Sequence, residues 1–252
     1  VLDYEFRLVL TAIGYFTRLP IPRWVGYSDR QLNDALRYFP LVGILVGLFT
    51  GAVFLLALEV LPQPIAVLLA MLAGILLTGA FHEDGLADTC DGFGGGRDRV
   101  QILAIMKDSR VGSYGVLGLA LGLLLKFTAL AALRAEAFLV ISTAAHAFSR
   151  CMAVSLIYTQ RYVREDDSAR AKPAAQNLSL GAFACAALFS FVPLVWLGDG
   201  AAAAAAVAIV MRMVAANYFY RRIGGFTGDC LGAVQQVSEI GFYLGYLAWI
   251  ST

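Results

Sequence analysis

The sequence predicts an all-α polytopic membrane bundle of about seven transmembrane helices, preceded by an amphipathic N-terminal helix. Three observations carry that expectation. Of 252 residues, 60% are hydrophobic and the mean hydropathy is +0.73, whereas soluble domains sit near roughly 45–50% apolar. Seven stretches are long and apolar enough to cross a hydrocarbon core, which takes about 20 helical residues for about 30 Å. The basic residues fall in alternate connections rather than evenly. One integral membrane domain over residues 1–252 accounts for the whole chain.

The elements follow in order. Glu5–Leu19 is amphipathic and reads as a helix at the interface or against the bundle. Asp3, Glu5 and Arg7 precede its apolar run and Arg18 breaks it, so no cleavable leader is expected there. The spans are Tyr38–Leu61, Pro64–Phe81, Gly115–Leu133, Phe138–Tyr158, Leu180–Leu197, Ala201–Tyr220 and Leu231–Ile250. Pro62 and Pro64 make a tight turn between the first two. Leu180–Leu197 is short, and the alanine run Ala201–Ala206 is only weakly hydrophobic, so either reads equally as a shallow or tilted helix.

Arg7, Arg18, Arg23, Arg30 and Arg37 precede the first span. Arg97, Arg99, Lys107 and Arg110 follow the second, Arg161, Arg164, Arg170 and Lys172 the fourth, and Arg221 and Arg222 the sixth. Those fifteen stand against Arg134 alone in the alternate loops. The positive-inside rule then puts the N-terminus and the long loops in the cytoplasm. A formal net charge of +1 suggests no nucleic-acid partner.

Lys126, His146, Arg150, Arg212 and Glu239 fall inside apolar spans. Ionisable groups there are costly and are functional candidates; the plainer readings are snorkelling and structural pairing. The four cysteines Cys90, Cys151, Cys185 and Cys230 show no metal-ligand spacing and read as free thiols.

The informative segment is His82-Glu83-Asp84-Gly85-Leu86-Ala87-Asp88-Thr89-Cys90-Asp91-Gly92. On a helix, Asp84, Asp88 and Asp91 fall within about 60° of one another over about 10 Å of axis. Carboxylates so placed repel unless a cation joins them. Mg²⁺ takes carboxylate oxygens and completes its shell with substrate phosphates, so the stripe reads as a metal–diphosphate platform. The plainer reading is a solvated acidic helix end. Gly94-Gly95-Gly96-Arg97 follows as a flexible loop that lets backbone approach a ligand. In Lys107-Asp108-Ser109-Arg110, the two cations suit phosphate. Asp229 sits among four glycines in Gly224–Gly232, which reads as a tight ligand loop, and Gln235, Gln236 and Glu239 then enter the last span.

Together these segments resemble the cobalamin synthase (cobalamin 5′-phosphate synthase) family. The matching pieces are Phe16-Thr17-Arg18-Leu19-Pro20, His82–Gly92, Met106–Gly115 with Lys126 after it, Arg150, and Gly224–Gly232 with Glu239. Ser113 stands where the family pattern suggests Thr, and Cys90 where a small residue is common. The resemblance implies a Mg²⁺-dependent transferase that joins adenosylcobinamide-GDP to α-ribazole or its 5′-phosphate and releases GMP. It implies Asp84, Asp88 and Asp91 as metal ligands with Glu83 in reserve, and Lys107 and Arg110 on the phosphates. Asp108 or Asp229 is then a general base or second metal ligand, and Gly95, Gly96, Arg150 and Glu239 are cofactor-binding positions. The expected setting is a bacterial or archaeal inner membrane, with active site and N-terminus cytoplasmic; a homo-oligomer is compatible with it.

Two other classes compete. A CDP-alcohol phosphotransferase also uses aspartates on membrane helices, but its second aspartate pair has no counterpart after Asp88-Thr89-Cys90-Asp91-Gly92. A transporter would use the intramembrane charges, yet the strongest polar clusters sit at one face and no internal repeat is visible.

Overall fold

The computed structural model describes residues 2–163 and 178–251. Arg164, Arg170 and Lys172, counted above among the basic residues, lie outside the described residues. The architecture is all-α. Helices α1 (Leu2–Phe16), α2 (Asp29–Ala35), α3 (Phe39–Leu58), α4 (Gln63–Thr78), α5 (Phe81–Gly95) and α6 (Arg99–Ile105) make the first half. Helices α7 (Ser113–Ala131), α8 (Phe138–Thr159), α9 (Leu180–Phe191), α10 (Gly200–Ile223) and α11 (Gly228–Ile250) make the second.

Helix α8 is the axis of the bundle: 83% of its apolar stretch is buried, against 22–39% for the other apolar helices. Close packing explains how α3 reaches it. Gly43, Gly47 and Gly51 recur every fourth residue on α3 and face the backbone of His146–Ala147, of Thr143 and of Leu139 in turn. A Cβ at Gly43 would sit 2.8 Å from the Cα of Ala147. In lipid, such small-residue stripes replace the hydrophobic effect as the means of helix association. Arg212 of α10 resolves as a structural staple. Its guanidinium donates to Ser155 Oγ and to the Ser155 carbonyl on α8, both at 2.8 Å.

Several elements differ from expectation. Five helical stretches of the described residues are long and apolar enough to cross a bilayer, and the α4–α5 pair makes a sixth if the two count as one. The final expected span forms α11, but it falls short on hydropathy because it carries Gln235, Gln236, Ser238 and Glu239, all buried. At 23 residues its length is about 34 Å at about 1.5 Å per residue, and those polar side chains are buried against the rest of the bundle. The expected second span is a helix of only 16 residues, followed by an 88° bend into α5. The expected fifth span continues beyond Phe191 as a 3-10 turn, Val192–Leu197, that takes in Pro193. The amphipathic N-terminal segment becomes α1, burying Leu8, Ala12 and Phe16 against the bundle.

The bend is built by Gly79 (φ 67°) and Ala80 (φ 59°), both left-handed. Ala80 N–H donates to the Ile75 carbonyl at 2.9 Å and Gly79 N–H to that of Leu76 at 3.3 Å. This pair of bonds closes a helix end. Holding an alanine there costs about 1–2 kcal/mol. Arg18 N–H, from the segment after α1, donates to the Leu77 carbonyl at 2.7 Å and its guanidinium lies over Gly79. So the Phe-Thr-Arg-Leu-Pro segment braces the turn that aims α5 across the end of the bundle.

Candidate active site

Three polar segments that are far apart in sequence meet at this end. Gly85 of α5 lies against the first turn of α11, where a Cβ would come within 2.8 Å of the Asp229 carbonyl and 3.2 Å of its Cα. Gly232 meets the same crossing from the other side, with His82 3.1 Å from its hypothetical Cβ. Two glycines therefore let α5 and α11 touch backbone to backbone, with Asp84 and Asp88 on one helix beside Asp229 on the other. Thr227 is the N-cap of α11, accepting from Cys230 N–H at 3.4 Å, and Asp229 sits in the helix's positive first turn. Gly224 and Gly225 serve the chain reversal: Gly224 (φ 81°) ends α10, and Phe226 exchanges backbone bonds with Arg161 and Val163.

The aspartate stripe is uneven. Asp84 is exposed and Asp88 half-buried, whereas Asp91 is buried. Asp91 Oδ2 accepts from Gly112 N–H at 2.7 Å and Oδ1 from Gly115 N–H at 2.8 Å. It thereby caps the start of α7 and ties the Met106–Gly115 segment to the acidic helix, leaving one lone pair on each oxygen. Among the described residues no three acidic, histidine or cysteine side chains are gathered closely enough to enclose a metal. The donor set is nonetheless carboxylate only, which fits a hard cation whose remaining ligands come from phosphate and water.

Glu83 leaves the stripe. It points into the bundle, where Gln236 Nε2 donates to its Oε1 at 2.9 Å and its Oε2 has no hydrogen-bond partner. The glycine-rich loop is also corrected. Gly94 and Gly95 form the last turn of α5, and Gly96 caps it, packed under Ile102 with its carbonyl taken by Arg222 at 2.8 Å. Packing of α6, rather than an approaching ligand, accounts for Gly96.

Lys107 is exposed and Arg110 is exposed and paired with Asp108 at 2.5 Å. That guanidinium holds the Asp108 carboxyl down at about 2. A general base works best near neutral pH, so Asp108 in this pairing is suited to holding a cation rather than taking a proton.

Arg150 and Glu239 belong to a second, buried constellation in the middle of the bundle. Lys126 Nζ lies 2.7 Å from Glu239 Oε1, and His146 Nδ1 3.4 Å from Oε2. Gln235 and Tyr243 donate to the same carboxylate at 2.7 and 3.1 Å. Arg150 donates to the His146 carbonyl at 2.9 Å and lies over the Phe39 ring. These groups surround a cavity of about 30 Å³ that Glu83 and His82 also line, room for about one or two waters. Arg150 and Glu239 are thus not brought to the aspartate stripe. They connect to it through Gln236 and Glu83.

Residues 8–247 match the family model for cobalamin-5-phosphate synthase. The chain belongs to that family. Its relatives cover it almost end to end. An adenosylcobinamide-GDP ribazoletransferase of Ralstonia pickettii is 48% identical, over 98% of each chain. One of Shewanella frigidimarina is 47% identical, over 97% of this chain and 95% of its own. One of Shewanella baltica is 47% identical, over 95% and 93%. No solved structure matches the chain. The cobalamin-5-phosphate synthase match leaves one residue that sequence reasoning quoted without a role. His82 opens the acidic motif, is 2% exposed, and has an unpartnered Nε2. A polar residue one turn from an apolar span, next to Phe81, was the available signal.

Proposed function

We propose that the protein is an adenosylcobinamide-GDP ribazoletransferase of the inner membrane, working with Mg²⁺ at the cytoplasmic face. The near-complete likeness to proteins of that name carries the activity. The crossing of α5 and α11 at Gly85 and Asp229 supports the site. The basic residues before α3, after α5 and after α8 and α10 support the orientation.

In the reaction a ribazole hydroxyl attacks the phosphorus nearer cobinamide and GMP leaves. Asp84 and Asp88, with the spare lone pairs of Asp91, would hold Mg²⁺, which when bound neutralises charge on the diphosphate oxygens. Lys107 and Arg110 sit beside the same end and bind phosphate oxygens, Arg110 by exchanging Asp108 for the substrate. Asp229 is the better candidate for the proton acceptor, since Asp108 is held by its guanidinium. Asp91, by bonding to Gly112 and Gly115, fixes the phosphate-binding segment against the metal-binding helix. That keeps the reacting groups in register, where misplacement is expensive.

Purified protein incubated with adenosylcobinamide-GDP, α-ribazole and Mg²⁺ should release GMP, and EDTA should stop it. Absence of GMP under every metal and substrate form would overturn the reading.

A further inference from the structure

The end of the bundle far from the aspartates holds a cavity of about 500 Å³. It is walled by the turn before α8, the start of α8, the 3-10 turn after α9 and the last turns of α11. Tyr246, on its wall, stands about 25 Å along α11 from Asp229 at about 1.5 Å per residue. Ligand pockets span about 300–1,000 Å³, and a cavity of about 150 Å³ already takes up benzene. The lining is graded from apolar to charged. Ile141 and Leu197 are buried, Val140 and Tyr246 are half-buried, and Trp196 is 68% exposed at the rim. Tyr246 is packed in place, because Gly200 gives it room: a Cβ there would come within 2.7 Å of the ring. At the mouth, Arg134 Nε and Glu136 Oε2 stand 3.7 Å apart, with side chains 81% and 79% exposed. So exposed a pair is held weakly and can exchange its partners for the charges of a ligand.

Two observations say what covers this cavity. It lies where the apolar stretches Ser113–Ala131, Ala135–Thr159 and Leu180–Leu197 end or begin, and Trp196 and Trp249 are both exposed at the same end. Tryptophan in that position marks the headgroup level of a bilayer. The mouth also carries one charge of each sign. Among the described residues Arg134 is the one basic residue in the connections at this end, while Asp199 adds a carboxylate two residues from Leu197.

We propose that this cavity binds a phospholipid of the leaflet opposite the aspartates, with an acyl chain inside and a zwitterionic head at the mouth. Arg134 takes the phosphate, which suits a guanidinium fork. Glu136 takes a primary ammonium, so the head is that of phosphatidylethanolamine. A phosphoglycerol head would satisfy Arg134 but leave Glu136 and Asp199 facing an anion without a cation to share, which selects against it. An apolar molecule without a head would use neither charge. The site needs only the membrane bundle and stands apart from the transferase reading.

The test uses the full-length protein, delipidated in a neutral detergent, and reads the quenching of Trp196 by phosphatidylethanolamine with brominated chains. Subtracting the signal of Trp196→Phe isolates that one indole. Quenching should saturate, at a lipid mole fraction at least about tenfold lower than for brominated phosphatidylglycerol, whose head leaves Glu136 unpaired. Arg134→Ala should raise the half-saturation point for phosphatidylethanolamine at least about fivefold, as expected for a lost charge-assisted bond. Glu136→Gln should remove the preference for phosphatidylethanolamine over phosphatidylglycerol. Both side chains are exposed, so neither substitution threatens the fold. Glycerophosphoethanolamine, which has the head but no chains, should leave the quenching unchanged. Displacement by it would give the mouth to a soluble phosphate ester and overturn the proposal. Quenching that rises without saturation and equally for both lipids would mean ordinary contact with the surrounding bilayer, and would overturn it too. So would an unchanged half-saturation point in Arg134→Ala. A stable dimer with Trp196 shielded from both lipids would assign the cavity to a second copy of the chain and likewise overturn it.

Discussion

Two groups of charges lie in this molecule, and their environments are opposite. In the bundle centre, Glu239 is fully buried and meets Lys126, His146, Gln235 and Tyr243. At the end of the bundle, Asp84 is exposed and the aspartates share no enclosing set of ligands among the described residues. Burial in lipid demands that a charge be neutralised where it stands. The inner cluster therefore completes itself with protein groups and locks α7, α8 and α11 together. The outer stripe remains open, and an open set of carboxylates is what a metal and a diphosphate require. The difference separates charges that hold the fold from charges proposed above to do the chemistry.

Breaking the inner cluster should give the largest effect. Glu239→Ala leaves Lys126 and Arg150 buried with reduced compensation, at about 3–5 kcal/mol. The expected outcome is a collapse of thermal stability in detergent, read as loss of a monodisperse folded peak. Lys126→Met combined with Glu239→Leu should be milder than Glu239→Ala, because both members of the pair go. A stable Glu239→Ala protein with impaired turnover alone would move this cluster from scaffold to active site.

Next in size comes the outer region. Asp229→Ala should lower turnover at least about a hundredfold, about 2.7 kcal/mol of barrier, with thermal stability near wild type. An active Asp229→Ala enzyme would reduce the glycine-rich segment to a chain reversal. Gly85→Ala probes the contact between the regions. Its Cβ would meet the Asp229 carbonyl at 2.8 Å, and the forced shift should cost about 1–3 kcal/mol while lowering turnover as well. Unchanged activity and stability would mean that the α5–α11 crossing does not set the site.

The smallest effect concerns Asp108. Its carboxyl is held at about 2 by Arg110, below the ordinary value of about 3.9. A lowered value means that whatever the pair contributes to ordering this exposed loop is present above about pH 4 and lost as pH falls through about 2. Asp108→Asn should therefore leave the shape of the pH–rate profile between pH 5 and 9 unchanged. A lost acidic limb in that range would make Asp108 the titrating base.

The sequence made the helices legible because apolar length and basic asymmetry are properties of single segments. It made Asp84, Asp88, Asp91, Lys107, Arg110 and Asp229 legible as candidates because spacing and residue type carry their chemistry. What it hid was relational. Glu83 differs from Asp84 by one residue, but one residue is about 100° of helix, which turns it from the stripe into the core. The glycines at 94–96 look like slack until Ile102 is seen above Gly96. The 88° bend depends on Ala80 adopting a left-handed conformation that alanine ordinarily avoids. Gln235 and Gln236 lowered the hydropathy of α11 because that helix is solvated by protein, and hydropathy reports lipid contact only.

The central claim is that the open stripe does the chemistry and does not hold the fold. Asp88→Asn tests it most directly, with GMP release and the thermal midpoint measured on one purified preparation. The account predicts that turnover falls at least about a hundredfold while the midpoint stays within about 2 °C of wild type, since Asp88 is half-buried and lies outside the buried cluster around Glu239. Full turnover, or a loss of turnover that simply follows a collapsed midpoint, would contradict it.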